Sequence, residues 1–308
     1  MRSALLVVVV SASLAAQTSY VPERVFGRLH HAFTDFEVML ADVAKADVVF
    51  IGEQHDDANT HRLELAVLEG LARRRPIGVI VGFEMFERDV QDPLDHFQMG
   101  HMDEAEFLRM SRPWSNYARD YKPIVDFAVA RNWPIFASNV PRALATEVSK
   151  AGIDALKGKS VEEAKWFARN VKCPVGDDYF KRFAGAMNDH QQGPNPGSAT
   201  PAASPAKTRE NLERYYQAQC LKDETMGESI AQAYQTGAMG GKHPLVVHFN
   251  GTFHSDFAEG TVERARRRLP GQRIIVVSIL PVANIDTVAP DRADRKRADY
   301  LVYTIKQK

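Results

Sequence analysis

Four residues carry types and positions suited to chemistry: Glu53, His55, Glu84 and His254. Each follows an apolar run almost directly. Val48–Ile51 leads into Gly52-Glu53-Gln54-His55, Ile77–Phe83 leads into Glu84, and Leu245–Phe249 leads into Asn250-Gly251-Thr252-Phe253-His254. Carboxylates and imidazoles brought together can bind a divalent metal ion or move protons. His55, Glu84 and His254 are the candidate metal ligands, and Glu53 and Glu84 are the candidate acid–base groups of a hydrolase. A buried hydrogen-bond network tying strand ends together is an equally weighted reading. One Gly-x-x-His is a weak signal, but two copies, each at the end of an apolar run, are a stronger one. His248 falls inside its run and reads as a satisfied core residue. Asp56 and Asp57 read as caps of the following helix. Asp223, with Met226 on a long helical stretch, is either a surface charge or a group reaching over the site.

A second set is aromatic. Trp114, Tyr117 and Tyr121 cluster beside Lys122. A tyrosinate can ligate ferric haem and a lysine can pair with a propionate. The competing reading is plain core packing. No C-x-x-C-H occurs, which excludes covalently attached c-type haem.

The elements that must position these residues read as alternating strands and helices. Thr34–Glu37 has the form of a capping box opening a helix to about Lys45. A helix over about 59–75 follows the Val48 strand. Further strands are expected at 77–83, 134–139, 245–249 and 273–279, with 300–305 an edge strand. Pro141 suits the start of a helix. This alternation predicts an α/β fold, a mostly parallel, doubly wound sheet of about five strands. Such a sheet gathers residues at the carboxyl ends of its strands. A helical cap is expected around 88–132 and 152–235, interrupted by a Pro-, Ala- and Ser-rich flexible loop at 190–208. The α/β domain is expected to run from 17 to 290, followed by a C-terminal edge segment, 291–308. There is no P-loop, no G-x-G-x-x-G and no fixed-period repeat.

The 308 residues hold 39 Lys plus Arg and 39 Asp plus Glu, a balance that gives no footing for nucleic acid. The arginine clusters at 73–75 and 264–268 read as solvated helix ends complementing the dipole. Residues 1–16 have the pattern of a signal peptide: Arg2, an apolar core from Leu5, and small residues near Ala15. Export is therefore expected, to the periplasm or a membrane-associated position. No cysteine near this segment could carry a lipid. The two cysteines, Cys173 and Cys220, are compatible with a disulfide in such a compartment or with two buried thiols.

Several blocks resemble the haem-binding uptake family of the Tiki superfamily, the ChaN-like proteins. They are Gly52-Glu53-Gln54-His55-Asp56-Asp57, Phe83 through Gln91, Tyr121-Lys122-Pro123-Ile124, Ala137 through Arg142, Asp223-Glu224-Thr225-Met226 and Asn250 through His254. They follow the family's order over roughly 45–280. The resemblance implies an α/β core with a helical cap, export, and binding of haem or iron in uptake or handling. Haem is the implied ligand, with Tyr117, Tyr121 and Lys122 the candidate contacts. A homodimer and an outer-membrane uptake system are the implied partners. The wider superfamily implies an alternative, a metal-dependent hydrolase of the erythromycin-esterase-like type built on the paired Gly-x-x-His motifs.

Overall fold

The structure is a computed structural model that describes residues 21–76, 78–191 and 205–307. The expected signal peptide, 1–16, and residues 192–204 of the expected loop lie outside the described residues. The shoulders of that loop belong to helices.

The chain runs β1 (Glu23–Gly27), β2 (Ala32–Thr34), α1 (Phe36–Val43), β3 (Val48–Glu53), α2 (Ala58–Arg74) and β4 (Val79–Glu87). Four short helices follow, α3 (Gln91–Gln98), α4 (Glu104–Ser111), α5 (Tyr117–Asp120) and α6 (Lys122–Ala130). Then come β5 (Ile135–Asn139), α7 (Arg142–Ala151), α8 (Asp178–Gln191) and α9 (Pro205–Gly237). The chain ends in β6 (Leu245–Gly251), α10 (Gly260–Arg268), β7 (Ile274–Val282), α11 (Asp294–Arg297) and β8 (Tyr300–Ile305).

The fold is α/β, as expected, but the sheet is larger than expected and mixed. It has eight strands in the order β2-β1-β8-β7-β3-β6-β4-β5. The five anticipated strands and β8 form its parallel part. β1 and β2 add two antiparallel pairings at one side. The polar sequence Glu-Arg-Val-Phe-Gly of β1 carries little strand signal by itself, because its partners rather than its own apolar content hold it. β8 is consequently no edge strand: it lies between β1 and β7. The expected capping box does not form either. Thr34 ends β2, and the N-cap of α1 is Asp35, without a side-chain bond.

β3 is buried along its whole length, the mark of a parallel strand covered on both faces. Its residues alternate between two cores. Val49 and Ile51 pack with Leu40, Val67 and Leu71 of α1 and α2. Val48 and Phe50 pack with Ile230 and Tyr234 of α9 and Val262 of α10. Residues of the 88–132 region, among them Phe107, Tyr117 and Ile124, join the first core rather than standing apart from it. The stretch 152–235 contains helices and no strand among the described residues. Cys173 and Cys220 are both free thiols.

The chain leaves β3 for β4 and β5 on one side, returns to insert β6 between β3 and β4, and then crosses to β7 and β8. That reversal opens a crevice beyond the carboxyl ends of β3 and β6, where open α/β sheets bind ligands.

Candidate functional site

Register brings the two Gly-x-x-His turns together. Glu53, the last residue of β3, pairs with Gly251, the last of β6. On the far side of β6, Phe83 of β4 pairs with Phe249, so Glu84 emerges at the same level. The pairing of β4 with β5 shifts register between Phe83 and Glu87, and that irregularity lies where Glu84 turns toward the crevice. Glu53, His55, Glu84 and His254 thus converge.

His254 is buried and held at both nitrogens. Nδ1 lies 2.7 Å from Asp223 Oδ1 and Nε2 lies 3.2 Å from Glu84 Oε1. Thr261 Oγ1 and Tyr179 Oη also donate to Asp223, at 2.9 and 2.5 Å, and the Gly251 N–H donates to Glu84 Oε2 at 2.8 Å. Burial alone would discharge the imidazole, but the Glu84 and Asp223 charges outweigh it and push its pKa up to about 10. The same pairing holds the Glu84 carboxyl well below its usual range and lowers that of Asp223, in each case against the effect of burial. At neutral pH His254 is an imidazolium without a free lone pair. Asp223 is therefore a group of the site and no surface charge.

His55 differs. Its side chain is 42% exposed, its ring lies edge-on to Trp114 at 4.6 Å, and Nδ1 is 2.6 Å from Glu53 Oε1. Its Nε2 stands over Gly251, where a Cβ would lie 2.7 Å away, with Glu84 Oε2 at 3.7 Å from the same point. The absence of a side chain at 251 lets the imidazole lie there. Burial opposes its charge, yet the Glu53 hydrogen bond and the Glu84 charge raise its pKa.

Of the expected haem contacts, the structure buries Tyr117 and Tyr121 and leaves Lys122 part-exposed. Tyr117 is buried against Phe86 and Phe107. Tyr121 is buried, and its hydroxyl donates to Glu53 Oε1. Lys122 makes ion pairs of 3.0 Å with Glu104 and Asp126. Neither tyrosine turns its oxygen outward. His248 is a core residue as expected, bonded to Ser138 and Asn250, with burial pushing its pKa down to about 4. Asp57 caps α2 through the Thr60 N–H.

Two features escape the motif reading. His61 and Glu64 lie under the site, bonded to each other at 2.7 Å. Their signal is two polar residues in the buried stripe His61, Glu64, Leu68, Leu71 of α2. Tyr215 is the one exposed tyrosine among the described residues. It lies on α9 one and two turns before Gln219 and Asp223, both of which reach His254. The spacing i, i+4, i+8 is visible in the sequence and marks one helix face.

Beside His55 opens a cavity of about 700 Å³. Phe253, Leu280 and Pro281 supply its apolar wall, and Lys306 a cation.

A mixed α/β sheet that gathers these carboxylates and imidazoles at the carboxyl ends of its parallel strands is the class of protein that the fold defines. Residues 39–265 match the family described as haem-binding uptake, Tiki superfamily, ChaN, and the chain belongs to that family. Among solved structures it is similar to one described as cofacial haem binding to ChaN of Campylobacter jejuni. The identity is 16%, covering 93% of this chain and 97% of that one, with a TM-score of 0.62, a likeness of fold. A protein from Bacillus cereus is 10% identical over 87% of this chain and 90% of its own, at a TM-score of 0.47. A mutant erythromycin esterase EreC in its open conformation is 13% identical over 92% and 83%, at 0.46. Comparison with curated proteins finds no match.

Proposed function

We propose that this chain is an exported haem-binding protein of uptake or handling, taking its ligand at the crevice beyond β3 and β6. The observation that carries this reading is the part-apolar cavity of about 700 Å³ that opens directly on the half-exposed His55. A volume of this order is what a cofactor-sized ligand requires, and its lining joins the apolar wall to the polar groups of Gln54, Thr252 and Gln307 and the carboxylates of Glu53, Asp56 and Asp57. The residues fit haem. Phe253, Leu280 and Pro281 offer apolar surface, and Lys306, in a lining shared with the acidic Glu53, Asp56 and Asp57, offers a cation to a propionate. Tyr215, exposed on the face of α9 that reaches His254 but outside the lining of this cavity, is the proposed ligand to ferric iron from the side of that helix. Bound haem supplies the iron chemistry, and the protein's part is to orient it. Export rests on the pattern of residues 1–16, and a homodimer and an outer-membrane uptake partner rest on the family.

The test is titration of the purified protein with haemin by absorbance. Wild type should show a saturable shifted band and Tyr215→Phe should lose it. A wild type without a band refutes haem binding, and an unchanged band in Tyr215→Phe refutes the ligand. Metal-dependent hydrolysis is the second reading, favoured by His55 Nε2 and Glu84 Oε2 both flanking Gly251, at 2.7 and 3.7 Å from where a Cβ would be. It requires a metal ion that displaces the His254 proton, and Glu53→Gln should then abolish hydrolysis while sparing the metal.

A further inference from the structure

Below His55 lies a polar group that the haem reading leaves unused. Glu53, His61 and Glu64 are buried, and one donor atom from each lies within 4.8 Å of the others. His61 Nδ1 is 2.7 Å from Glu64 Oε2 and 3.5 Å from Glu53 Oε2. Ligands about 2.0–2.2 Å from a shared ion stand roughly 3–4 Å apart, so small shifts of these side chains would admit one.

Two further observations point to a ligand. Glu53 Oε2 and Glu64 Oε1 are both buried without a hydrogen-bond partner. A buried acceptor left alone costs about 1–3 kcal/mol, and more when charged, so two facing carboxyl groups call for a shared proton or a metal ion between them, and metal retention separates the two. The imidazole is also aimed. His61 Nε2 is 3.1 Å from the His55 carbonyl oxygen, so it donates there and leaves Nδ1 facing the carboxylates, where a metal ion would take the place of the Nδ1 proton. A ring nitrogen bonded to a backbone carbonyl is the support that metal-binding histidines use.

We propose that Glu53, His61 and Glu64 form a buried site for a divalent first-row metal ion. One imidazole and two carboxylates suit zinc, manganese or ferrous iron. They are too few in oxygen for calcium and lack the thiolates of soft-metal sites. The ion would tie the end of β3 to α2 and fix Glu53 beneath His55. It is separate from haem binding and from the expected set His55, Glu84 and His254.

The experiment uses the full chain without haem. Protein incubated with Zn²⁺ or Mn²⁺ and dialysed into metal-free buffer is assayed for metal, and zinc-loaded crystals are measured for anomalous scattering. Wild type should keep about one ion per chain. His254→Ala should keep it too, and Glu64→Gln should lose at least tenfold in affinity. The anomalous peak should lie between Glu53, His61 and Glu64. If Glu64→Gln fails to fold, the wild-type peak decides. Wild type without retained metal, a peak at Glu84 and His254, or loss in His254→Ala with retention in Glu64→Gln would overturn the proposal. None of these outcomes depends on the haem titration.

Discussion

The substitution Glu84→Gln probes how His254 is held. The amide preserves the side-chain volume and can still accept from the Gly251 N–H, which is 2.8 Å from the native oxygen. It removes the negative charge 3.2 Å from His254 Nε2, leaving the imidazolium to Asp223 alone. Removing one partner of a buried ion pair costs about 3–5 kcal/mol. An independent bound is consistent. Raising an imidazole from 6.5 to about 10 corresponds to roughly 5 kcal/mol, shared between Glu84 and Asp223. We expect a loss of about 3 kcal/mol at pH 6. The sign with pH follows from the directions. His254 has its folded pKa raised, so its stabilisation is complete below 6.5 and is lost as pH rises through about 10. Glu84 has its folded pKa lowered, so its share is present above 4.5 and is lost as pH falls. The gap between wild type and variant is therefore widest from about 4.5 to 6.5. By pH 9.5 it should shrink to below about 1 kcal/mol. His61, also raised to about 10, is present in both proteins and cancels in the difference. Urea unfolding at pH 6 and 9.5 measures this directly. A gap of the same size at both values, or one near zero at pH 6, would refute the charged sandwich around His254.

Two glycines test the packing. In Gly251→Ala the new methyl would lie 2.7 Å from His55 Nε2, so the imidazole must swing off Glu53. Haemin affinity should fall about tenfold while stability changes by less than about 1.5 kcal/mol, because a half-exposed ring can change rotamer. In Gly82→Ala the methyl would lie 2.1 Å from Phe136 Cζ, and that ring must be displaced. A melt should show a loss of about 1–3 kcal/mol with haemin binding unchanged.

The parallel core was legible because strands buried on both faces are written as unbroken apolar runs, as in Val48–Ile51 and Leu245–Phe249. The convergence of Glu53, Glu84 and His254 was legible for the same reason, since a run fixes where its strand ends. β1 and β2 were not. β2 is three residues long and two of them are exposed, so no periodicity marks it. The burial of Tyr117 and Tyr121 was not legible, because the types that bind haem are also the types that fill cores. Their burial is decided by partners elsewhere in the chain, Phe86 and Phe107 for Tyr117 and His61 and Glu53 for Tyr121, which no local pattern states. The arginines at 264–268 show the same limit. They read as a solvated end, yet Arg264 is buried and Arg267 and Arg268 each meet the buried Glu224 at 2.6 Å.

The two Gly-x-x-His turns have one spacing and two outcomes, and the residue after the glycine decides between them. In the first turn it is Glu53, whose Oε1 orients His55 from within the turn itself. One carboxylate on one nitrogen leaves Nε2 open to the cavity. In the second turn the corresponding residue is Thr252, which brings no charge to its histidine. His254 instead takes Asp223 from α9 and Glu84 from β4, one on each nitrogen, and is sealed between them. A motif alone would treat the two histidines as equivalent ligands. Their partners set them apart: His254 ties α9 to the sheet, and His55 stays part-exposed at the cavity.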